Sequence, residues 1–482
     1  MNQEADPPDT TPSDAARAET AAPPGGARSV PASWLVLAVA CAGQFMVVLD
    51  VSVVNVALPS MRAALGFDAG GLQWVVIAYS LTLAGFLLLG GRVADLYGRK
   101  RVFVLGLALF SLASLAGGAA PTPGLLIAAR AVQGLGAAVL APATLTILTT
   151  SFTDAAARAR ALATWSAVVA AGGAAGSLLG GVLTEYLSWR WTLLVNVPVG
   201  AVVIAAALRG LAESYGGGSR RLDLPGAVLA TTGPAAVTYA IGQAPQRGWT
   251  DPVIVIALVL GLAALAAFVL AERRSPAPLM PLRLFAARSL SVGSTLMLLL
   301  GAGFMAMWYF LTLYMQNVLG YSALAAGLGF VPHTLAIVAG SRLAPRLMPR
   351  LGERGLIITG ALIGAAGFAW QTRITPDSTY ASGLLGPAIA MCLGLGLLLA
   401  PIVATATSDV PATDAGIASG LLNAVRQVGG ALGLAVLATL AGANSPAGYV
   451  RTFAASAVIL LAIAACALLL RGTGREPNYG ER

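Results

Sequence analysis

The sequence contains little charge. Only 10% of its 482 residues are Asp, Glu, Lys or Arg, whereas 57% are hydrophobic, and the mean hydropathy is +0.81. Because soluble proteins have about a quarter of their residues charged, this composition excludes an ordinary soluble domain. A helix that crosses a bilayer needs about 20 mostly apolar residues, and a chain of this length has room for many of them.

Cysteine and histidine are also scarce. Cys41, Cys392 and Cys466 lie in apolar stretches without a CxxC spacing, and His333 is the only histidine. This distribution predicts neither a disulfide nor a metal site, and we expect a hydrogen-bonded packing role for His333. The sequence offers no nucleophile with a base, no metal cluster and no phosphate-binding loop. We therefore expect neither an enzyme nor a bound cofactor.

Acidic residues are outnumbered by basic ones, 20 to 29. The basic residues are dispersed over short loops between apolar segments instead of forming one patch, so we expect no nucleic-acid partner. If the N-terminus is cytoplasmic, most of these residues fall on the cytoplasmic side. The positive-inside rule then predicts a multi-pass membrane protein, surrounded by lipid, with both termini in the cytoplasm.

Long apolar segments recur along the chain. We count fourteen of spanning length, and two short basic loops, Gly90–Arg101 and Gly340–Arg354, each follow the second helix of a six-helix block. The pattern predicts an all-α integral membrane protein with 14 transmembrane helices, in two pseudo-symmetric six-helix bundles plus two inserted helices. The predicted units are a disordered cytoplasmic tail (1–32), an N-terminal bundle (33–210), the inserted helices (211–287), a C-terminal bundle (288–471) and a second cytoplasmic tail (472–482).

One carboxylate lies inside a predicted span. Asp50 belongs to the segment Leu49–Pro59 (LDVSVVNVALP), which closes the first apolar stretch. An ionised, unpaired carboxylate in a bilayer costs at least about 2 to 3 kcal/mol, so Asp50 should face protein, pair with a cation or bind a proton. Arg130, in the fourth predicted helix, lies at a similar depth. We predict that the two residues pair and couple proton binding to transport. The alternative is a static ion pair that only fixes the helix contact.

Two further motifs indicate close helix packing and conformational change. Small residues recur every four positions in the fifth helix, as is typical of close contacts between membrane helices. This stripe contains Gly172, Gly176, Ser177, Gly180 and Gly181. The loop GGRVADLYGRKR has one acid among four bases, and we predict that it forms a breakable latch between conformations. The predicted latch residues are Gly91, Asp95, Gly98, Arg99 and Lys100. Ordinary helix packing and ordinary positive-inside charge are the alternatives.

Together with RAVQGLG in helix 4 and WRWTLLVNVPVG near residue 195, these motifs resemble the fourteen-helix drug:proton antiporters of the major facilitator superfamily. The resemblance implies a monomeric rocker-switch exporter in a bacterial cytoplasmic membrane, which trades amphiphilic drugs or antibiotics for incoming protons. The alternative is a dedicated exporter of one endogenous metabolite, such as a self-made antibiotic, a siderophore or an amino acid. A sensor or scaffold that has lost transport is disfavoured because Asp50, Arg130 and the basic loop are all present.

The sequence departs from that family in two ways. Ser177 stands where the family usually has a proline, which implies a milder kink in helix 5. The C-terminal half has no carboxylate within its spans, which implies neutral, zwitterionic or monocationic cargo. A second polar face, formed by Asn423, Arg426 and Gln427, is predicted at the cytoplasmic mouth. For the cargo cavity we predict polar and aromatic residues of the spans, with packing as the alternative for each: Asn55, Trp74, Tyr79, Gln133, Phe304, Trp308, Tyr309, Gln316 and Trp370.

Overall fold

Most of the chain is described by a computed structural model. The described residues are 33–152, 154–216, 222–276, 278–375, 377–411, 414–442 and 445–470. The two predicted tails, 1–32 and 472–482, lie outside them. Within the described part the chain is helical and contains no β-strand, which confirms the predicted all-α class.

The N-terminal bundle is built from six long helices and two single turns. Side-chain caps start several of them, for example Thr122, which accepts a hydrogen bond from the Leu125 amide, and Asp154, which accepts one from the Ala157 amide; both satisfy amides that a helix N-terminus leaves free. The elements are α1 (Ser33–Leu65), α2 (Ala69–Leu72), α3 (Trp74–Tyr97), α4 (Arg99–Gly118), α5 (Pro123–Ser151), α6 (Ala155–Tyr186), α7 (Trp191–Leu194) and α8 (Asn196–Gly210).

Two inserted helices follow, and then the C-terminal bundle. The inserted pair consists of α9 (Leu224–Arg247) and α10 (Pro252–Arg274). A 3-10 turn (Leu282–Ala286) precedes the bundle, and a π-helical turn (Tyr380–Leu385) lies within it. The remaining helices are α11 (Arg288–Asn317), α12 (Ala323–Gly329), α13 (Val331–Gln371), α14 (Gly386–Thr407), α15 (Ala415–Ala441) and α16 (Pro446–Ala467).

By length and composition, 13 helical segments of the described part could cross a membrane. One of them, Ala323–Gln371, has 49 residues, which at 1.5 Å per residue is more than twice the thickness of a hydrocarbon core of about 30 Å. Gly352 breaks this segment with a non-helical backbone, φ 69° and ψ 167°. Fourteen spans result if the segment is divided there, and that exact number stays a prediction.

The two bundles repeat the same packing. Helix α1 packs along α6 in the first, and α11 packs along α15 in the second. Gly98 (φ 103°) turns the chain between α3 and α4, and Gly352 (φ 69°) stands at the equivalent place in the second bundle. Left-handed backbone of this kind favours glycine because it has no Cβ. The prediction of two related helical bundles is confirmed, whereas the predicted boundaries between the units stay untested.

The bundles meet unevenly along α6. We call the face on which α1 begins the N-terminal face and the other the opposite face. Near the opposite face, a Cβ on Gly181 would lie 2.8 Å from the Ala323 carbonyl oxygen, and Gln316 Nε2 donates to the Val56 carbonyl at 2.8 Å. Two turns closer to the N-terminal face, a Cβ on Gly173 would have no neighbour within 4 Å. The bundles therefore touch along α6 near the opposite face, and α6 has open space beside Gly173 two turns away.

The second seam between the bundles, between α3 and α15, is closed. The Leu88 side chain lies 2.6 Å from the Cβ position of Gly420. Helix α9 packs against both α3 and α15, and Thr439 Oγ1 donates to the Ile241 carbonyl at 3.1 Å. Helix α10 packs mainly on α9, and only 11% of the residues in its most apolar stretch are buried. The inserted pair thus covers one seam and leaves the α6 seam uncovered.

Candidate functional site

Asp50 lies in the middle of the N-terminal bundle and has no exposed surface. Its Oδ2 accepts a hydrogen bond from Arg130 Nη1 at 2.5 Å. Its Oδ1 accepts from Gln133 Nε2 at 2.6 Å and from Asn196 Nδ2 at 3.0 Å. Three donors, one of them charged, satisfy both oxygens of this buried carboxylate. The structure therefore brings Asp50 and Arg130 together, while their role in coupling stays a prediction.

Arg130 has several partners besides the carboxylate. Its Nε donates to the Val75 carbonyl at 3.0 Å, and its Nη1 also donates to Gln133 Oε1 at 2.6 Å. The guanidinium carbon lies 4.4 Å from the centre of the Tyr79 ring, in cation–π contact. Only 2% of Arg130 is exposed. The carbonyl, amide and ring can hold this positive charge when the carboxylate is neutral.

Two residues of this network were missed by the sequence analysis. Asn196 begins α8 and reaches Asp50, and Ser114 on α4 accepts a hydrogen bond from Gln133 Nε2 at 2.8 Å. A usable signal was present, because Asn196 is an amide in an apolar segment and a buried amide needs partners. The site therefore joins five helices, namely α1, α3, α4, α5 and α8.

The predicted latch is fastened within the N-terminal bundle. Asp95 Oδ1 accepts hydrogen bonds from Arg99 Nη2 at 2.9 Å and Nε at 3.1 Å. Lys100 Nζ donates to the Leu208 carbonyl at 2.7 Å. A Cβ on Gly91 would lie 3.6 Å from Pro142, and Gly98 supplies the left-handed turn between the helices. The function of these residues as a conformational latch stays a prediction.

The sequence analysis also missed the partner of this loop. Glu213, beyond the end of α8, accepts hydrogen bonds from the backbone amides of Lys100 at 3.0 Å and Arg101 at 3.2 Å. These amides belong to the first turn of α4, where a carboxylate satisfies free donors and the positive end of the helix dipole. The backbone of Asp95 adds a bond to the Gly216 amide at 2.8 Å. The loop is therefore held by residues 211–216.

The glycine stripe of α6 has two faces with different neighbours. A Cβ on Gly176 would lie 2.8 Å from the Leu49 carbonyl oxygen, and one on Gly180 would lie 2.8 Å from that of Val53. Gly172 faces Val48 on the same helix at 3.3 Å. These contacts flank Asp50 on α1. Ser177 and Gly181 instead meet α12 of the other bundle. Helix α6 thus links the helix of Asp50 to the contact between the bundles.

The predicted cavity residues fall into separate groups. Tyr79 and Gln133 are buried in the Asp50 network. Asn55 Nδ2 donates to Val51 of its own helix at 2.9 Å, and Gln316 bonds across the bundles to the carbonyl of Val56. The structure does not gather these four around one space, so the cargo role of each stays a prediction.

The aromatic members of that set lie on several helices. Trp74 lies beside Tyr239 of α9, with ring centres 6.2 Å apart. Trp308 contacts Phe330 at 4.8 Å and His333 at 5.9 Å. The other three differ in burial and neighbours: Phe304 packs against Phe368, Tyr309 against Phe310, and Trp370 is exposed. Among them, only Trp308 combines partial exposure with the polar neighbour His333.

The polar residues of the C-terminal bundle do not form a buried ion pair in the described part. Arg426 Nη2 donates to Asn423 Oδ1 at 2.8 Å. His333 makes the expected hydrogen bond, from Nδ1 to the Gly329 carbonyl at 3.0 Å. At the N-terminal face, Arg283 forms a two-point ion pair with Asp414 at 2.9 and 3.0 Å. This hydrogen bonding raises the pKa of the Arg283 guanidinium above its usual value.

Comparison with known proteins gives consistent relatives. The chain is 52% identical to the cephamycin export protein CmcT of Amycolatopsis lactamdurans over 92% of this chain and 94% of that one. It is 45% identical to the puromycin resistance protein pur8 of Streptomyces alboniger, over 85% of this chain and 82% of the relative. The multidrug resistance protein Stp of Mycobacterium tuberculosis (strain CDC 1551 / Oshkosh) is 36% identical over 83% of this chain and 74% of its own.

Solved structures and family models agree with these relatives. A POT family peptide transporter has the same fold, with a TM-score of 0.68 at 15% identity over 93% of this chain and 98% of that one. The family model described as Major Facilitator Superfamily matches residues 40–434. The chain therefore belongs to the Major Facilitator Superfamily, and it is a membrane transporter and not an enzyme.

Proposed function

We propose that the protein exports amphiphilic antibiotics or drugs from the cytoplasm in exchange for protons, and that Asp50 binds the proton. The observation that carries this proposal is the buried network in which Asp50 accepts from Arg130, Gln133 and Asn196. A carboxylate inside a membrane protein is energetically costly, so such residues are usually functional. Binding and release of a proton is the function that a carboxylate can serve. The relatives named for antibiotic export and resistance support the direction of transport.

Protonation of Asp50 changes what its neighbours can do. A proton on the carboxyl removes the negative charge that Arg130 contacts and turns one acceptor oxygen into a donor. Arg130 stays charged and keeps the Val75 carbonyl, Gln133 Oε1 and the Tyr79 ring as partners. The positive charge therefore need not leave the site, and helix α1 is released from one of its strongest contacts with α5.

That release reaches the contact between the bundles through α6. The glycines of one stripe pack on α1 at Leu49 and Val53, on either side of Asp50, while Gly181 packs on Ala323 of α12. A shift of α1 changes how α6 lies against α12. Because α6 packs on α12 near the opposite face and meets open space at Gly173, we take this conformation as open along α6 to the N-terminal side.

Orientation follows from the basic loops. The positive-inside rule assigns the N-terminal face to the cytoplasm, so that both termini lie there and the open cleft receives cargo from inside the cell. We further propose that the protein acts as a monomer in the bacterial cytoplasmic membrane. The α6 seam and the α3–α15 seam both lie within one chain.

The cargo is expected to be neutral, zwitterionic or monocationic. The C-terminal spans contain no buried carboxylate to match a second positive charge. A cephamycin exporter shares 52% of the sequence and a puromycin resistance protein shares 45%. The second candidate function is dedicated export of one self-made antibiotic, and the similarity to a relative named for a single antibiotic favours it.

The test uses the purified full-length chain in proteoliposomes with an imposed pH gradient. Cephamycin and puromycin are offered as cargo to the wild type and to the Asp50→Asn variant. Asp377→Asn, which changes an exposed acid of the C-terminal half, is the matched control. We expect uphill transport by the wild type and the control, and only downhill movement by Asp50→Asn. Uphill transport by Asp50→Asn would contradict the proposal.

A further inference from the structure

The inserted helix pair contains two buried carboxyl groups that the transport scheme does not use. Asp223 precedes α9, and its Oδ1 accepts a hydrogen bond from the Gly226 amide at 2.8 Å. Glu272 lies in the last turn of α10, and its Oε2 accepts from the Met280 amide at 2.9 Å. Only 6% of Asp223 and 3% of Glu272 are exposed. Both groups therefore lie inside the protein at the N-terminal face.

The two carboxyl groups converge over Gly226. A Cβ on Gly226 would lie 2.9 Å from Asp223 Oδ1 and 2.9 Å from Glu272 Oε1, so the two oxygens are no more than about 6 Å apart. Each group also has one buried oxygen without a hydrogen-bond partner, Asp223 Oδ2 and Glu272 Oε1. A glycine at residue 226 leaves the space that allows this approach.

Neither Asp223 nor Glu272 takes part in an ion pair of the described chain. The exposed Arg274 lines the same cavity as Asp223 without such a pair. Helix α3 packs against this end of α9 through apolar side chains, including Phe86, Leu89 and Val93. Two buried carboxylates with oxygens within about 6 Å of each other disfavour the ionised form of one another. One bound proton removes this repulsion.

A path to water is present beside the pair. An open cavity of about 460 Å³ is lined by Asp223 together with Leu222, Pro225 and Arg274. Arg274 is exposed at the end of α10. The unpartnered carboxyl oxygens themselves have almost no accessible surface, so a proton can reach them where a hydrated metal ion or an amine cannot.

We propose that Asp223 and Glu272 form a proton-binding carboxyl pair that holds one proton at neutral pH. The proton is an O–H group on one carboxyl, and it leaves a single negative charge between α9 and α10. The site is separate from Asp50, because it belongs to the inserted helices and opens to the N-terminal face. It therefore follows the pH of that compartment even when the transport site is occluded.

Infrared spectroscopy of the full-length chain in lipid nanodiscs tests this directly. A protonated carboxyl has a carbonyl stretch separate from that of a carboxylate, and isotope labelling of Glu and Asp assigns it. We expect the wild type at pH 7 to have a band of one carboxyl per molecule that Glu272→Gln removes and Asp50→Asn retains. Absence of the band in the wild type, or its persistence in Glu272→Gln, would overturn the proposal.

Thermal unfolding gives a second measurement that does not depend on transport. The folded pair holds a proton that the unfolded chain has lost at neutral pH, because an ordinary carboxyl has a pKa near 4. Stability must then fall as pH rises, by about tenfold in the unfolding equilibrium per pH unit while the folded pair stays protonated. Glu272→Gln, and independently Asp223→Asn, should lack this part of the pH dependence. Curves parallel to the wild type in both variants would refute the bound proton.

Discussion

The two bundles share a packing plan but differ in buried charge. The N-terminal bundle holds Asp50 and Arg130 at its centre, with Gln133 and Asn196 as further partners. In the described part of the C-terminal bundle, the corresponding polar contact is Arg426 with Asn423, and no acid joins it. The repeated helices therefore supply a common frame, while the buried ion pair belongs to one half. Four substitutions test this division and the contact between the bundles, and three of them have a counterpart.

The largest effect is expected for Arg130→Ala. Removal of one partner of a buried ion pair leaves the Asp50 charge uncompensated, at a cost of about 3 to 5 kcal/mol in the free energy of unfolding. Its counterpart, Arg426→Ala, removes a bond from a guanidinium to a neutral amide, worth about 1.5 to 3 kcal/mol. Chemical unfolding in detergent measures both. Equal losses would mean that the bundles do not differ as described.

A conservative variant separates charge from geometry at the same place. Arg130→Lys keeps the positive charge but cannot contact Asp50, Gln133 and the Val75 carbonyl with one planar group. We expect its export rate in proteoliposomes to be far below that of the wild type. Wild-type export by Arg130→Lys would count against a role for the planar geometry.

A smaller effect is expected for Asn196→Ala. This change removes one donor to the Asp50 carboxylate, and a hydrogen bond to a charged group contributes about 1.5 to 3 kcal/mol. Asn423→Ala in the other bundle is the counterpart, although its partner Arg426 is itself charged. We expect Asn196→Ala also to slow proton-driven export, whereas Asn423→Ala leaves coupling intact. Loss of coupling in Asn423→Ala alone would mean that proton coupling depends on the C-terminal bundle, against this expectation.

The smallest change in stability is expected for Gly181→Ala, which acts on the contact between the bundles. Its new methyl group would press on the Ala323 backbone, and overpacking costs about 1 to 3 kcal/mol. The contact between α6 and α12 forms when the bundles meet at the opposite face. We therefore expect Gly181→Ala to raise the fraction of molecules in which α6 and α12 are separated there. Distances between spin labels on α6 and α12 measure this shift. Gly173→Ala, which meets open space, should leave the distances unchanged.

The helices and the central ion pair could be predicted from the sequence for a simple reason. A bilayer requires long apolar helices, so hydropathy reports them, and depth can be counted along a helix of known rise. Asp50 and Arg130 could therefore be matched by their depth in two different helices. Depth does not tell which way a side chain points around its helix or which helices are neighbours. For that reason the predicted cavity residues do not surround one common space in the structure.

Contacts made by loops and helix ends were beyond such counting. Glu213 caps α4 from more than 100 residues away in the chain, and the pairing depends on how the segment after α8 folds back. Asn196 reaches Asp50 only because α8 begins at that residue. The seam position of α9 was equally hidden, since its sequence pattern does not name α3 and α15 as neighbours.

The placement of α9 makes the two flanks of the transporter unequal. The inserted helices cover the α3–α15 seam. A hydrophobic molecule in the surrounding lipid can therefore approach the space between the bundles only along the α6 seam. If the two bundles rock against each other, α9 lies at the hinge side, because it packs against one helix of each bundle. The transporter therefore has two unlike sides within the plane of the membrane, one covered by α9 and one exposed to lipid.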